Sequence, residues 1–328
     1  MKRTMFVLVA VIMIMATVMV AGCGSGEKPA ERVSIGVCEE YSTLVWIAQD
    51  QGYFADNGLN VAIRDYKSGK QACDALLAGE VSIATSADFV LVSNSFDYQD
   101  LRTFGVINTV DNIELVARKD HGISQLADIK GKKIGVTMKS TAEFFLGSFL
   151  ILNKLSINDV EFIDLNPNEI VEATVRGEVD AAFTWEPSIY RIKSSLGDNA
   201  ISWPGQGGQP YYFLLITRER WITEHAKTAE RFIKAITQAE EYTDEYNNDA
   251  KNLIRQRYGY ESSYLDAAWP KHEFRVTLAQ QLLVILEDQA RWRMKNKLVE
   301  ATEVPNYLDY IYLDALEAIK PEAVTIIR

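Results

Sequence analysis

Serine and threonine side chains follow two short apolar strands of the sequence at positions roughly 99 residues apart. Ser42-Thr43 comes shortly after the strand at 33–37, and Ser140-Thr141 comes shortly after the strand at 134–136. A helix that begins at such residues leaves its first N–H groups unpaired, and its dipole adds partial positive charge there. Two such helix starts are suited to bind an anionic or polar group of a ligand.

Polar and aromatic residues also stand at the ends of other predicted strands. Ligands of open α/β sheets bind beyond the carboxyl ends of the strands. By this rule the candidate ligand contacts, with Lys67 and Gly69 beside them, are Tyr41, Ser42, Thr43, Ser68, Ser86, Asp88, Thr137, Lys139, Ser140, Thr141, Trp185 and Glu186.

Several of these residues have an alternative structural role. The four hydroxyl residues at the two helix starts can act as simple N-caps, and capping does not exclude a ligand contact. Asp88 can cap the helix that follows Thr85, and Glu186 can pair with a backbone donor instead of a ligand.

The elements that position these residues are repeated along the chain. Gly79–Ala84 resembles Gly177–Ala182 at nearly the same offset as the two strand–turn–helix segments. Each half reads as βαβαβ, which is the rhythm of a mostly parallel sheet. The sequence therefore predicts an α/β fold of two similar lobes that share a cleft.

Two apolar strands, Ile113–Arg118 and Tyr211–Thr217, are predicted to be the hinge crossings between the lobes. Lobe 1 is predicted to comprise residues 33–112 and 218–328, and lobe 2 residues 113–217. Three C-terminal helices are predicted to pack on lobe 1, at 227–246, 276–294 and 305–316.

The N-terminus has the features of an export signal. Lys2 and Arg3 precede an apolar run that ends in Val-Ala-Gly-Cys23, which matches a bacterial lipoprotein cleavage box. We expect residues 1–22 to be a signal peptide, Cys23 to carry lipid, and residues 23–32 to be a flexible tether. The mature protein is then exported to the periplasm or the cell surface and anchored to the membrane.

Composition and motifs argue against several other classes of protein. The formal net charge is −11, and there is no run of Lys and Arg to bind nucleic acid. Phosphate-binding loops, G-x-S-x-G elbows and His or Cys pairs at metal-ligand spacing are missing from the sequence. We expect neither a cofactor nor a metal, and no enzymatic activity.

Two cysteines besides Cys23 allow two interpretations. Cys38 ends the first strand, and Cys73 lies near the start of the second helix. Export would allow a disulfide between them, whereas two small buried thiols are an equal alternative.

The chain resembles the solute-binding proteins of ABC importers, in particular the branch that binds nitrate, sulfonates, taurine and thiamine pyrimidines. Besides the lipoprotein box, Ile35-Gly36-Val37 and Lys139-Ser140-Thr141, the resemblance rests on the segments GEVSIATSAD (Gly79–Asp88), LADIKGKKIGV (Leu126–Val136) and GEVDAAFTWEP (Gly177–Pro187). It implies a bilobal periplasmic-binding-protein fold of type II, which closes on a small molecule. It also implies a permease and an ATPase as partners, and ligand contacts at Ser42, Ser86, Ser140, Thr141 and Glu186. We expect the protein to be a monomer.

The ligand class is left with alternatives. We expect a small organic anion or zwitterion, such as a sulfonate, taurine or nitrate, held by the helix starts with Lys67 or Lys139 nearby. Asp88 and Glu186 would hold an amino group of such a ligand. The alternatives are a nitrogen heterocycle, such as a pyrimidine, or an amine bound by Glu186 and stacked on Tyr41 or Trp185. An enzyme of thiamine-pyrimidine synthesis is the rival from another class, and the export signal argues against it.

Overall fold

Two mixed β-sheets organise residues 30–328, which are the residues that this computed structural model describes. The predicted signal peptide, Cys23 and most of the tether lie outside these residues. The first sheet contains β1 (Glu31–Cys38), β2 (Leu59–Tyr66), β3 (Ile83–Ala87), β4 (Leu101–Val110), β10 (Tyr211–Arg218) and β11 (His272–Glu273). The second contains β5 (Ile113–Arg118), β6 (Lys133–Val136), β7 (Glu161–Asp164), β8 (Ala181–Trp185) and β9 (Ala200–Pro204).

The two sheets share one connection pattern. In the first, the strand order is β11-β4-β10-β3-β1-β2, with β1 parallel to β2 and β3, and β10 antiparallel to β3 and β4. In the second, the order is β7-β6-β8-β5-β9, with β6 parallel to β7 and β8, and β5 antiparallel to β8 and β9. The chain thus leaves the first sheet after β4 and returns to it at β10.

Helices connect and cover the strands. They are α1 (Thr43–Asp50), α2 (Tyr53–Asp56), α3 (Gly69–Leu77), α4 (Asp88–Ser95), α5 (Thr141–Leu152), α6 (Pro167–Arg176), α7 (Ser188–Leu196), α8 (Glu219–Glu224), α9 (Ala226–Glu245), α10 (Asn247–Tyr258), α11 (Ser262–Ala268), α12 (Gln280–Lys295) and α13 (Asp314–Ile319). None of these helices is long and apolar enough to cross a lipid bilayer.

Local sequence signals explain where many helices begin and end, as α6 illustrates. The Asn166 side chain accepts hydrogen bonds from the Asn168 and Glu169 N–H groups, and the Glu169 carboxylate accepts one from the Asn166 N–H. Pro167 stands in the first turn, and Gly177 ends the helix with φ of 77°. The sequence therefore encodes both the N-cap and the C-cap of this helix.

The prediction of a helix at 305–316 is wrong. Tyr307–Tyr310 forms a 3-10 turn, Ile311 pairs with Thr103 at the edge of β4, and α13 begins only at Asp314. The hydroxyl of Tyr310 donates a hydrogen bond to the Ser95 carbonyl, which anchors the turn to α4. Tertiary contacts therefore override the helical pattern of this segment.

The helix predicted at 276–294 also begins later than expected. Thr277 pairs with Val106 and Leu278 pairs with Val324 before α12 starts at Gln280. These extended residues use their backbone groups in bridges to β4 and to Val324, so the helix cannot include them.

Buried apolar residues form one cluster that spans both sheets. Val90 and Phe213 from the first sheet's side are part of the same cluster as Ile113, Phe145 and Trp185 from the second. A larger cluster joins the first sheet to the C-terminal helices. The space between the sheets is thus bordered by packed apolar side chains.

Candidate functional site

A small cavity lies between the two sheets, where several of the parallel strands end. The space open to the centre of a water molecule measures about 30 Å³, and one water needs roughly 10–15 Å³ on this measure. The cavity therefore has room for only about two or three water molecules in this conformation. Its walls consist of Cys38, Tyr41, Ser68, Gly69, Lys70, Ala87, Val90, Ile113, Ser140, Thr141, Trp185, Tyr211 and Phe213.

Two helix N-termini, one beside each sheet, reach this cavity. Ser68 caps α3, with its Oγ accepting a hydrogen bond of 3.2 Å from the Gln71 N–H. Ser140 caps α5 in the same way, with its Oγ accepting one of 3.2 Å from the Ala142 N–H. The first N–H groups of a helix have no intrahelical acceptor, and the helix dipole makes this end partially positive. The two ends together form a suitable environment for an anion.

The hydroxyl of Thr141 adds a polar group at the second helix start. Thr141 is buried, and its Oγ1 has no hydrogen-bond partner among the described residues. A buried hydroxyl without a partner is costly, so a group that bonds to it is favoured. Lys70 also borders the cavity, and its ammonium lies 2.8 Å from the Asp74 carboxylate.

Aromatic rings form much of the remaining wall. Tyr41 and Phe213 stack with their centroids 5.2 Å apart, and Trp185 and Tyr211 also line the cavity. Among residues 30–328, no Asp or Glu side chain contributes to the lining. The site therefore combines polar donors at the helix starts with a largely apolar wall that contains no carboxylate.

Tyr41 links the first sheet to the second. Its hydroxyl donates a hydrogen bond of 2.7 Å to the carbonyl of Glu186, which directly follows β8. The same oxygen accepts a bond of 2.6 Å from the Asn112 amide, and the Tyr211 hydroxyl donates one of 3.1 Å to the Asn112 Oδ1. Asn112 lies where the chain passes between the sheets, so this network joins both sheets and the crossing.

Removal of the Tyr41 hydroxyl should weaken this link. Tyr41→Phe leaves the buried Glu186 carbonyl and the Asn112 amide without their partner, so we expect the free energy of unfolding to fall by about 2 kcal/mol. Tyr211→Phe leaves only the Asn112 Oδ1 unpaired, and we expect a loss of about half that size. Urea unfolding of both variants measures the difference. A Tyr41→Phe protein as stable as the wild type would contradict the proposed link.

The predicted residues Ser42 and Thr43 do not line the cavity. The Ser42 Oγ accepts a hydrogen bond from the Cys38 N–H and lies 2.7 Å from the Thr85 Oγ1, while the Thr43 Oγ1 donates to the Glu40 carbonyl. A 3-10 turn at Glu39–Ser42 leads directly into α1. The N–H groups without an intrahelical acceptor therefore belong to that turn and not to Thr43. The helix N-terminus that faces the cavity opposite α5 is that of α3, not that of α1.

Ser86 and Asp88 lie beside the cavity and not in its wall. The Asp88 carboxylate accepts hydrogen bonds from the Phe89 and Tyr212 N–H groups at 2.6 and 3.0 Å, and burial raises its pKa to about 6. The Ser86 hydroxyl is buried without a partner in the described part of the chain. Asp88 thus ties α4 to β10 in this conformation.

Thr137, Lys139 and Glu186 also lie outside the wall and hold backbone turns. The Thr137 hydroxyl donates to the Leu165 carbonyl, and the Lys139 N–H donates to the Glu143 carboxylate at 2.8 Å. The Glu186 carboxylate accepts a bond of 3.0 Å from the Tyr190 N–H, and burial raises its pKa. Five predicted residues do line the cavity, namely Tyr41, Ser68, Ser140, Thr141 and Trp185.

Sequence reasoning missed the aromatic residues of β10. Tyr211 and Phe213 are two positions apart, which places both on the same face of the strand. That alternation is present in the sequence, but it does not distinguish a strand that lines the site from one that only crosses between the lobes. For Cys38 and Cys73 the sequence left a disulfide and two buried thiols as equal alternatives. Both are free and buried in the structure, which is the thiol alternative, and Cys38 also lines the cavity.

A buried acidic group near the cavity makes stability depend on pH. The Glu40 carboxylate accepts hydrogen bonds from Tyr260 and Tyr264 at 2.7 and 2.6 Å. The pKa of Glu40 is raised to about 7, mainly by burial and further by the neighbouring negative charge of Glu39. The folded protein therefore holds this proton more tightly than the unfolded chain does.

We expect the free energy of unfolding to fall as the pH rises from about 4.5 to 7 because of Glu40. The raised pKa means that the folded state binds more protons in this window, and the slope for one group is at most about 1.4 kcal/mol per pH unit. Glu40→Gln should flatten the decline in urea unfolding at pH 5, 6, 7 and 8. An equal decline in the wild type and the variant would refute this assignment.

Comparison with known proteins gives one family. A family model described as "NMT1/THI5 like" matches residues 39–250. A "Putative aliphatic sulfonates-binding protein" of Bacillus subtilis is 28% identical over 262 residues, which cover 77% of each chain. The "Taurine-binding periplasmic protein" of Escherichia coli is 28% identical over 200 residues, which cover 60% of this chain and 61% of that protein.

Solved structures confirm the predicted fold. The alkanesulfonate-binding protein SsuA of Xanthomonas axonopodis pv. citri, bound to MOPS, superposes with a TM-score of 0.76 at 17% identity and covers 87% of this chain and 99% of that one. The desulfurization enzyme DSZB superposes with a TM-score of 0.63 at 14% identity, covering 89% of this chain and 99% of that one. The chain has the α/β periplasmic-binding-protein fold with two mixed sheets.

Proposed function

The chain belongs to the NMT1/THI5-like family, and on this premise we propose that it is the solute-binding lipoprotein of an ABC importer that captures a small organic sulfonate. The two sequence relatives named above, from Bacillus subtilis and Escherichia coli, are binding proteins, which supports a solute-binding role. The sulfonate is bound in the cavity between the sheets and is then delivered to a permease that an ATPase drives.

The observation that carries this proposal is the convergence of α3 and α5 on one cavity. Ser68-Gly69 and Ser140-Thr141 place two partially positive helix starts around a single small volume. A sulfonate has three oxygens that accept hydrogen bonds, so it can use N–H donors from both helices at once. The unpaired Thr141 hydroxyl supplies a further donor.

The wall of the cavity favours a sulfonate with an apolar tail over a zwitterion. Tyr41, Trp185 and Phe213 offer aromatic surface to such a tail. Among the described residues no carboxylate lines the cavity, and both Asp88 and Glu186 are hydrogen-bonded to backbone N–H groups. An ammonium group such as that of taurine would lose its hydration there without gaining a charged partner.

A binding experiment tests this preference. Thermal unfolding is followed with 1-hexanesulfonate, taurine, nitrate, hexylamine and an aminopyrimidine, and positive results are confirmed by titration calorimetry. We expect hexanesulfonate to raise the midpoint most, taurine to raise it less, and the amine not to raise it. A rise with the amine or the pyrimidine, with none for any sulfonate, would overturn the proposal.

Capture of a solute requires the lobes to move apart, since the cavity is too small in this conformation for an alkanesulfonate. The predicted boundary at 217/218 would place β10 in the second lobe, but β10 pairs with β3 and β4 in the first sheet. We propose residues 31–112 and 211–328 as one lobe and residues 113–210 as the other, with the crossings at 111–112 and 205–210 as the hinge. The network around Tyr41 and Asn112 stabilises the closed form. The protein acts as a monomer in this scheme.

The location follows from the N-terminal sequence, which precedes the described residues. We propose that residues 1–22 are removed as a signal peptide and that lipid on Cys23 holds the protein at the membrane. Cys23→Ala should release the protein into the soluble fraction of cells. Continued membrane attachment of this variant would contradict the role of Cys23.

One observation bears on the enzymatic alternative, because the Cys38 thiol lines the cavity. Burial raises the pKa of this thiol well above its usual value, and the nearby carboxylates of Glu39 and Glu40 act in the same direction. A thiol that stays protonated is a poor nucleophile. We therefore expect hexanesulfonate to be recovered unchanged after incubation; released sulfite would support an enzyme instead.

A further inference from the structure

The C-terminal helix α12 contacts elements of both sheets through two neighbouring residues. The Trp292 ring packs against Phe89 of α4 and Phe144 of α5, with centroids 5.8 and 5.5 Å away. Arg293 lies beside it and is 3% exposed. The sequence pattern of this helix indicated only packing, so the burial of an arginine between α4 and α5 needs an explanation.

Arg293 has partners on both sides. Its Nη1 donates a hydrogen bond of 3.1 Å to the Ser93 Oγ of α4, and its guanidinium lies 5.5 Å from the centre of the Phe89 ring. The same Nη1 is 3.7 Å from the Glu143 Oε2 of α5, and both of these side chains are 3% exposed. An ion pair with so little exposure is screened weakly by solvent and salt.

Glu143 in turn holds the turn that precedes α5. Its Oε2 accepts a hydrogen bond of 2.8 Å from the Lys139 N–H, and Lys139 has φ of 58°, a backbone conformation that non-glycine residues rarely adopt. Ser140 and Thr141, which line the cavity, follow directly. The conformation of the turn at the cavity therefore depends on the Glu143 carboxylate.

The charge of Glu143 has a further effect. It lies in the first turn of α5, close to the position at which an anion would bind. A buried carboxylate there repels the anion unless a cation compensates it, and removal of one member of a buried ion pair leaves the other uncompensated. Arg293 is placed to supply that compensation.

We propose that Arg293 is a positioning residue for anion binding: through Glu143 it holds the 137–141 turn and cancels the negative charge beside the cavity. The inference rests on the proposed function, which supplies the anion. It assigns α12 a role in ligand affinity although α12 does not line the cavity.

The test compares Arg293→Gln, Arg293→Lys, Glu143→Gln and the double variant Arg293→Gln/Glu143→Gln. Arg291→Gln is the matched control, since Arg291 is on the same helix and forms exposed pairs with Glu287 and Asp288. Hydrogen exchange of the Lys139 amide is measured without ligand, and the affinity for 1-hexanesulfonate is measured by calorimetry.

We expect Arg293→Gln to speed exchange of the Lys139 amide at least fivefold and to weaken hexanesulfonate binding at least tenfold. Arg293→Lys should restore part of both, because it keeps the charge. The double variant should bind hexanesulfonate more tightly than Arg293→Gln alone, because it carries no uncompensated carboxylate. Arg291→Gln should match the wild type in both measurements.

Unchanged exchange in Arg293→Gln would overturn the inference, as would a double variant that binds more weakly than either single one. If the wild type binds no sulfonate, the proposed function fails, and the exchange of the Lys139 amide alone decides the role of Arg293. A global loss of folding would speed exchange at core amides such as that of Val116 as well, so the comparison of these two amides separates the explanations.

Discussion

Replacing Thr141 by Asp is expected to reduce the affinity for an alkanesulfonate at least hundredfold. Thr141 is the first residue of α5 and lines the cavity, so the carboxylate would occupy the partially positive end that the ligand needs. The Asp carboxylate and the sulfonate would then be adjacent negative charges, which repel strongly in a buried site. An acidic residue in the first turn of a helix is otherwise favourable, which should limit the loss of stability.

The matched control is Thr141→Asn, which has nearly the same shape as Asp without its charge. We expect Asn to weaken binding less than tenfold, because an amide can still donate to a sulfonate oxygen. Calorimetry with 1-hexanesulfonate gives both affinities, and thermal unfolding checks that both variants are folded. Equal affinities of the Asp and Asn variants would mean that no anion binds at this helix start.

Gly147→Ala is expected to have the largest effect on stability, a loss of about 3 kcal/mol. A Cβ at this position of α5 would overlap the Trp292 Cζ2 and would lie 2.9 Å from its Cε2. The ring cannot move aside easily, because it packs against Phe89 and Phe144. Overpacking of a closely packed contact typically costs about 1–3 kcal/mol, and this contact is at the severe end.

The control for this change is the double variant Gly147→Ala/Trp292→Phe. The smaller ring lacks the atoms that the new methyl group meets, so the double variant should recover part of the loss in urea unfolding. If Gly147→Ala is as stable as the wild type, then α12 does not pack on α5 as closely as described.

The sequence allowed the fold and one half of the site to be predicted for identifiable reasons. The βαβ rhythm and its repeat at Gly79–Ala84 and Gly177–Ala182 indicated two similar sheets, and the fold is confirmed by the solved structures. Ser140 follows β6 and begins a helix, as expected for an N-cap, and it lines the cavity. Local signals of this kind depend on neighbouring residues only.

The other half of the site depended on features without a local signal. A 3-10 turn at Glu39–Ser42 precedes α1, and the hydroxyls of Ser42 and Thr43 are already bonded to Thr85 and to the Glu40 carbonyl. The helix that begins at the cavity is therefore α3 and not α1. Arg293 meets Glu143 across 150 positions of sequence, and no pattern around either residue indicates that contact. The segment at 305–316 does not form the predicted helix, because Ile311 pairs with Thr103 of β4.

A crystal structure of the protein with 1-hexanesulfonate tests the central claim most directly. The account predicts the sulfonate between the N-termini of α3 and α5, with its oxygens accepting hydrogen bonds from N–H groups at Gly69 and Thr141 and its alkyl chain against Tyr41 and Trp185. A sulfonate bound elsewhere on the molecule, with the cavity between the sheets closed and empty of it, would contradict the account.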